Sequence, residues 1–145
     1  MASGAGSPTL VESDFLFGLR DSDAHHAHVL KALELHKSGE MAIRVSSSSV
    51  IEVQTVLHSR GLASNVIEDA LSLMGGILAL NRIVDFVPFE LGDAVLSERL
   101  RANHRGLGYF DSLHAAVCER LQSTMLSSEG AYEALGLRVL DLDKL

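Results

Sequence analysis

Tryptophan is absent from this chain of 145 residues, aromatic residues make up only 5% of it, and cysteine occurs once. A single cysteine cannot form an internal disulfide, and a domain of this length can bury enough surface to fold without one. Cys118 lies in the apolar stretch Leu113-His114-Ala115-Ala116-Val117-Cys118. No clear cationic activator is nearby, so it reads as a packed thiol rather than a nucleophile, with a mild preference for a reducing, intracellular setting. Basic charge is also scarce: 12 Lys and Arg stand against 19 Asp and Glu, for a net charge of −7. That balance argues against broad, charge-driven binding to nucleic acid. An acidic protein still reaches RNA when bound cations bridge carboxylates to phosphates, and it suits a basic protein partner. Every apolar run is broken by Asp, Arg or Gly before it reaches membrane-spanning length. Met1 to Ser7 lack the basic start and apolar run of a signal peptide. The expectation is a cytoplasmic protein with no membrane association.

Hydrophobic residues make up 47% of the chain, and with so few aromatics the core must be built from Leu, Val, Ile and Ala. The length suits one compact domain, read as residues 9–145 behind a flexible leader, 1–8. Along the domain, short branched runs alternate with stretches of helical spacing. Thr9-Leu10-Val11, Met41-Ala42-Ile43-Arg44-Val45, Ile83-Val84-Asp85-Phe86-Val87, Thr124-Met125-Leu126 and Arg138-Val139-Leu140 read as strands. Helices are expected at Ala24 to His36 behind Asp21-Ser22-Asp23, from the serine run 46–49 to near Gly61, from Ala63 or Ser64 to Leu80, at Glu90 to Ala102, and at Tyr109 to Leu121. Regular alternation of this kind predicts an α/β domain with a mostly parallel sheet. Ligands of such sheets gather at the carboxyl ends of the strands.

Four carboxylates fall near those ends. Glu12 follows the first strand, Glu52 lies in the helix after the second, Asp111 is in the first turn of the helix from Tyr109, and Glu129 follows the fourth strand. In a parallel sheet all four can approach one edge. Clustered carboxylates repel, so they either keep protons or gather round a cation. An oxygen-only set without His or Cys favours Mg²⁺ or Mn²⁺ over Zn²⁺. Such an ion polarises a phosphoryl oxygen and activates a water for in-line attack on a phosphodiester.

The ordered set of motifs resembles the PIN-domain family. Leu10-Val11-Glu12-Ser13-Asp14-Phe15-Leu16 is similar to the family's opening strand and acid, and Ser48-Ser49-Val50-Ile51-Glu52-Val53 to its second acidic helix. Phe110-Asp111-Ser112-Leu113-His114-Ala115-Ala116 resembles the third acidic motif, and Met125-Leu126-Ser127-Ser128-Glu129 the last. The resemblance covers nearly the whole chain after Pro8. It implies a three-layer α/β/α sandwich, dependence on Mg²⁺ or Mn²⁺, cleavage of single-stranded RNA and a homodimer. It also implies a toxin of the VapC type, checked by a cognate antitoxin. By motif position Glu12, Glu52, Asp111 and Glu129 are the catalytic, metal-holding quartet. Asp14 is a further metal candidate, and Ser13, Ser127 and Arg105 are substrate-binding candidates. Two quartet positions that are usually Asp are Glu here, Glu12 and Glu129, each roughly 1.5 Å longer.

Each residue also has a plainer reading. Asp111 could complement a helix dipole, and Ser49-Val50-Ile51-Glu52 fits a capping box if the helix begins at Val50 but not if it begins at Ser46 or Ser47. Asp14 could be the ligand in place of Glu12, and Glu129 could be a solvated loop acid. His25, His26 and His28 read as a solvated helix end, since nothing completes a zinc site. Arg99, Arg101, His104 and Arg105 form the densest basic segment, either a solvated face or a phosphate guide. His114 adjoins the acidic motif and could orient substrate. The helix from Ser64 is apolar over more than one stripe, which suggests a partner subunit. The alternatives to a nuclease are a PIN-like scaffold without chemistry, motivated by the two Glu substitutions, and more remotely a phosphate-accepting domain. The latter lacks a late-strand lysine other than Lys144.

Overall fold

The computed structural model describes residues 7–145. Strand β1 (Ser7–Val11) begins inside the stretch read as a leader, and the rest of that leader, residues 1–6, lies outside the described residues. Helices α1 (Ser13–Phe17) and α2 (His26–Ser38) follow, then β2 (Met41–Ser46), α3 (Ser47–Ser59), α4 (Ser64–Leu80) and β3 (Phe86–Val87). Next come α5 (Leu91–Asn103), α6 (Tyr109–Leu121), β4 (Thr124–Ser127), a 3-10 turn at Gly130–Leu135, β5 (Val139–Asp141) and a last 3-10 turn at Leu142–Lys144.

The five strands form one sheet in the order β3-β2-β1-β4-β5, and every pairing is parallel. Val11 lies opposite Val45 on one side and Leu126 on the other, and Leu126 pairs with Leu140. Successive side chains of a strand point to opposite faces, and this splits the core in two. Val11 and Leu126 join Ile43 and Val45 under residues of α1 to α4, such as Phe15, Val29, Val53 and Met74. Leu10 and Met125 point the other way, to Ala115, Val117 and Cys118 of α6 and to Tyr132. Helices cover both faces, the arrangement a parallel sheet requires because neither face tolerates water. The result is the α/β domain that the strand–helix alternation predicts, in the three-layer α/β/α form that the family resemblance implies.

Several element boundaries differ from the sequence expectation. Of the run Ile83 to Val87, only Phe86 and Val87 pair as a strand. Ile83 is buried in the turn after α4, where its N–H donates to the Leu78 carbonyl and Arg82 adopts φ 61°. Helix α2 starts at His26 because the Asp23 carboxylate accepts the His25 N–H (2.8 Å), making a local turn instead of a helix cap. On the far face α5 is tied to α6 through Asp93, which is buried and accepts two hydrogen bonds from Arg120 at 2.8 and 3.0 Å. Among the described residues no helix is long and apolar enough to cross a membrane.

Candidate active site

The chain builds outward from β1 to β2 and β3, then returns to lay β4 against the free side of β1. The carboxyl ends of β1 and β4 therefore flank the point where the topology reverses, where α/β sheets form their crevices. Glu12 follows β1 there, Ser127 ends β4, and Ser128 and Glu129 follow it.

Glu12 is buried. Its Oε1 accepts the Asp14 N–H (2.9 Å) and the Ser13 hydroxyl (3.0 Å), so the side chain folds back as the cap of α1. The longer arm of a glutamate at this position is thereby taken up. Oε2 accepts the Tyr132 hydroxyl at 2.7 Å. Burial, with the nearby Asp14 charge, pushes the Glu12 carboxyl up to about 7, against hydrogen bonds that work to lower it. The same Tyr132 oxygen lies 3.3 Å from Asp111 Oδ1, so one fully buried hydroxyl joins the acid after β1 to the acid of α6. Asp111 is also raised, first by burial and then by the charge of Glu129, with Glu52 adding to it.

Glu52 comes from the second turn of α3. The helix starts at Ser47, which removes the capping-box reading and frees the carboxylate for the site. Its Oε1 meets His114 Nε2 at 2.7 Å, and His114 Nδ1 meets the Ser48 hydroxyl at 2.7 Å. Burial works to raise Glu52, but hydrogen bonds from His114 and Ser13 outweigh it and hold the carboxyl below its usual range. Ser13 therefore sits between Glu12 and Glu52.

Glu129 is exposed, and its carboxylate accepts the Ala131 N–H (3.3 Å) at the start of the 3-10 turn. It reaches the cluster through its field on Asp111. Asp14 ties α1 to the end of β4: Oδ2 accepts from Ser127 Oγ (3.1 Å), Ser128 N–H (2.7 Å) and Ser128 Oγ (2.8 Å). Its other oxygen, Oδ1, is buried with no hydrogen-bond partner. Ser127 Oγ also accepts the Glu129 N–H at 3.0 Å, which leaves it a structural tie as much as a substrate contact. Arg105 lines a cleft of about 350 Å³ with His104, Leu107 and Ala131. A second, more apolar cleft of about 300 Å³ is lined by Ser48, Ile51, Tyr109 and Phe110, neighbours of Glu52 and Asp111. Arg101 is engaged elsewhere, paired with Glu98 and stacked over the Tyr109 ring.

His25 faces the Ser128 hydroxyl at 3.5 Å and binds Asp143 at 2.7 Å. This Ser-His-Asp order does not make a nucleophile, because the Ser128 proton is committed to Asp14. Cys118 is buried, its thiol pushed up to about 12 mainly by burial, which agrees with a packed rather than reactive residue.

The donors suit a hard divalent cation: carboxylate oxygens, one of them orphaned, without sulfur. Among the described residues no group of three or more His, Cys, Asp or Glu side chains is drawn together as a complete metal site. Mg²⁺ does not need one, since it keeps several waters and is typically held by one or two carboxylates together with substrate phosphates. Sequence reasoning passed over Tyr132, which the 3-10 turn after Glu129 carries into the core. It read His114 as a substrate contact, although a position three beyond Asp111 shares that residue's helix face.

The chain matches the PIN domain family over residues 9–135. Its fold is similar to that of VapBC2 from Rickettsia felis bound to a promoter DNA fragment, at 17% identity and a TM-score of 0.70, covering 92% of this chain and 97% of that one. DNA-bound VapBC from Salmonella typhimurium gives 15% identity and 0.69 over 94% and 98%. Mycobacterium tuberculosis VapC20, described as a toxin that cleaves the sarcin-ricin loop, gives 18% and 0.66 over 89% and 95%. At these identities the likeness is one of fold. No curated protein sequence matches the chain.

Proposed function

Because the chain belongs to the PIN-domain family, we propose that it is a divalent-metal-dependent endoribonuclease acting on single-stranded RNA, the toxin of a toxin–antitoxin pair. The observation that carries this reading is the Tyr132 hydroxyl joining Glu12 to Asp111 beside the switch point of the sheet, with Ser13 between Glu12 and Glu52. Glu12, Asp14 and Asp111 would hold Mg²⁺ or Mn²⁺ in this reading, with Glu52 and Glu129 completing the acidic set. When bound, the ion neutralises charge on a phosphodiester and lowers the pKa of a water. Burial biases the Glu12 and Asp111 carboxyls towards the protonated acid, so a cation held there would compete with protons for them. Glu52 is ionised throughout, held so by His114. Ser13 and Ser127 supply hydroxyls beside the scissile group, and Arg105 draws a neighbouring phosphate into its cleft. The wide apolar α4, with Leu73 and Leu80 exposed, is the surface offered to a second copy in a cytoplasmic homodimer.

The test is cleavage of a mixed single-stranded RNA in EDTA, Mg²⁺ or Mn²⁺ by wild type and Asp111→Asn, with circular dichroism to show that the variant folds. Metal-dependent cutting that disappears in the folded variant supports the reading. No cutting by wild type with saturating Mn²⁺ on several RNAs favours the scaffold without chemistry.

A further inference from the structure

His114 has no exposed surface, and both ring nitrogens are bonded. It stands one helical turn beyond Asp111 on α6, flanked by the buried Leu113, Ala115 and Ala116, where an aliphatic residue would pack at lower desolvation cost. The hydrogen bonds have a direction. An ionised Glu52 only accepts, so Nε2 carries a proton and donates to it, while Nδ1 is bonded to the Ser48 hydroxyl. Ser48 Oγ in turn is hydrogen-bonded to the hydroxyl of Ser46, the last residue of β2. The chain thus runs from the sheet edge through Ser46, Ser48 and the imidazole to one oxygen of Glu52. Phe110 closes the other side of the ring, stacked at 23° with centroids 6.3 Å apart.

A glutamate side chain on its own samples several rotamers. This one has Oε1 pinned by a ring that cannot turn, which leaves Oε2 with a fixed aim. We propose that His114 is a positioning residue for the metal centre, fixing Glu52 for cation binding, and that Ser48 fixes His114. The proposal rests on the metal-dependent reading above. Groups that hydrogen-bond metal-ligating carboxylates set ligand orientation, and their loss typically costs about 10- to 100-fold in affinity.

Mn²⁺ binding to the full chain, read by the electron paramagnetic resonance of free Mn²⁺, tests this alongside melting temperature in EDTA. His114→Leu keeps the buried bulk and loses the donor; its Mn²⁺ affinity falls about 10- to 100-fold. His114→Gln places an amide N–H near the Nε2 position and restores affinity to within about threefold of wild type. Ser48→Ala touches neither Glu52 nor the ion, yet weakens binding to an intermediate degree. A purely structural histidine predicts the opposite pattern: lower melting temperatures in all three variants with Mn²⁺ affinity unchanged. If His114→Leu does not fold, Ser48→Ala and His114→Gln decide the matter by the same comparison. Equal affinity in wild type and the folded variants overturns the positioning role and leaves the metal reading standing. A wild-type protein that binds no Mn²⁺ overturns both.

Discussion

Replacing Glu12 by Gln should stabilise the metal-free protein above neutrality and do little below pH 5. In the folded chain the Glu12 carboxyl sits at about 7 rather than its ordinary 4.5, because it is buried beside Asp14. Between those values the folded form holds a proton that the unfolded form has released. Wild-type stability therefore falls as pH rises through this window and levels off above pH 7. At about 1.4 kcal/mol per pH unit the loss comes to roughly 3 kcal/mol. A neutral Gln escapes it: its amide oxygen, placed at the Oε1 position, still accepts from the start of α1, and its amide N–H donates to the Tyr132 oxygen. In urea titrations with EDTA, Glu12→Gln should match wild type near pH 5 and exceed it by up to roughly 3 kcal/mol at pH 8. The melting temperature difference at pH 8 is then on the order of 10 °C for a chain of this size. Saturating Mn²⁺ should close much of the gap at pH 8, since a cation at 100 times its dissociation constant contributes about 2.7 kcal/mol to whichever form binds it. Parallel pH profiles for the two proteins, or a variant less stable at pH 8, would refute the argument that Glu12 is held near neutrality by burial.

Tyr132→Phe removes the hydroxyl shared by Glu12 and Asp111 and leaves Glu12 Oε2 without its donor; it should cost roughly 1–3 kcal/mol in urea titration. Asp93→Ala breaks the buried end of the link to Arg120, and because Arg120 keeps partial access to water the loss should be about 2 kcal/mol, below the 3–5 kcal/mol of a wholly buried pair. Leu126→Ala opens a cavity at the centre of the sheet and should cost roughly 3 kcal/mol by the same assay. Cys118 should resist a thiol reagent such as 5,5′-dithiobis(2-nitrobenzoate) at pH 8 in the native protein and react at once in denaturant; fast native labelling would contradict its burial and raised thiol pKa.

The fold was legible where hydrophobic pattern and punctuation agree. Leu10-Val11, Ile43 to Val45 and Met125-Leu126 are short branched runs bounded by polar residues, and strands buried on both faces look like that. The sequence does not give the strand order, because pairing is decided by packing over long chain separations. Ile83 and Val84 read as strand because their composition is right, yet the turn after α4 takes Ile83 into the core before pairing begins. At the site the acids were readable by position after strands. Their partners were harder to see. Tyr132 and His114 gain meaning only when β1, α3, α6 and the turn after Glu129 are brought together, and a lone buried Tyr or His has no signature in a single sequence. Ser46 to Ser49 read as a helix start, and α3 does begin at Ser47; what the sequence does not show is that Ser46, Ser48 and Ser49 are buried and that Ser48 carries the contact to His114.

In the proposed function these carboxylates deliver a divalent cation to a phosphodiester of RNA. The most direct test is cleavage of a single-stranded RNA bearing sulfur in place of a non-bridging oxygen at the scissile phosphate, in Mg²⁺ and in the more thiophilic Mn²⁺. Mg²⁺-supported cleavage of one sulfur stereoisomer should drop sharply, Mn²⁺ should restore it, and Asp111→Asn should cleave in neither. Equal cleavage of oxygen and sulfur substrates in EDTA, or full activity in Asp111→Asn, would contradict that function.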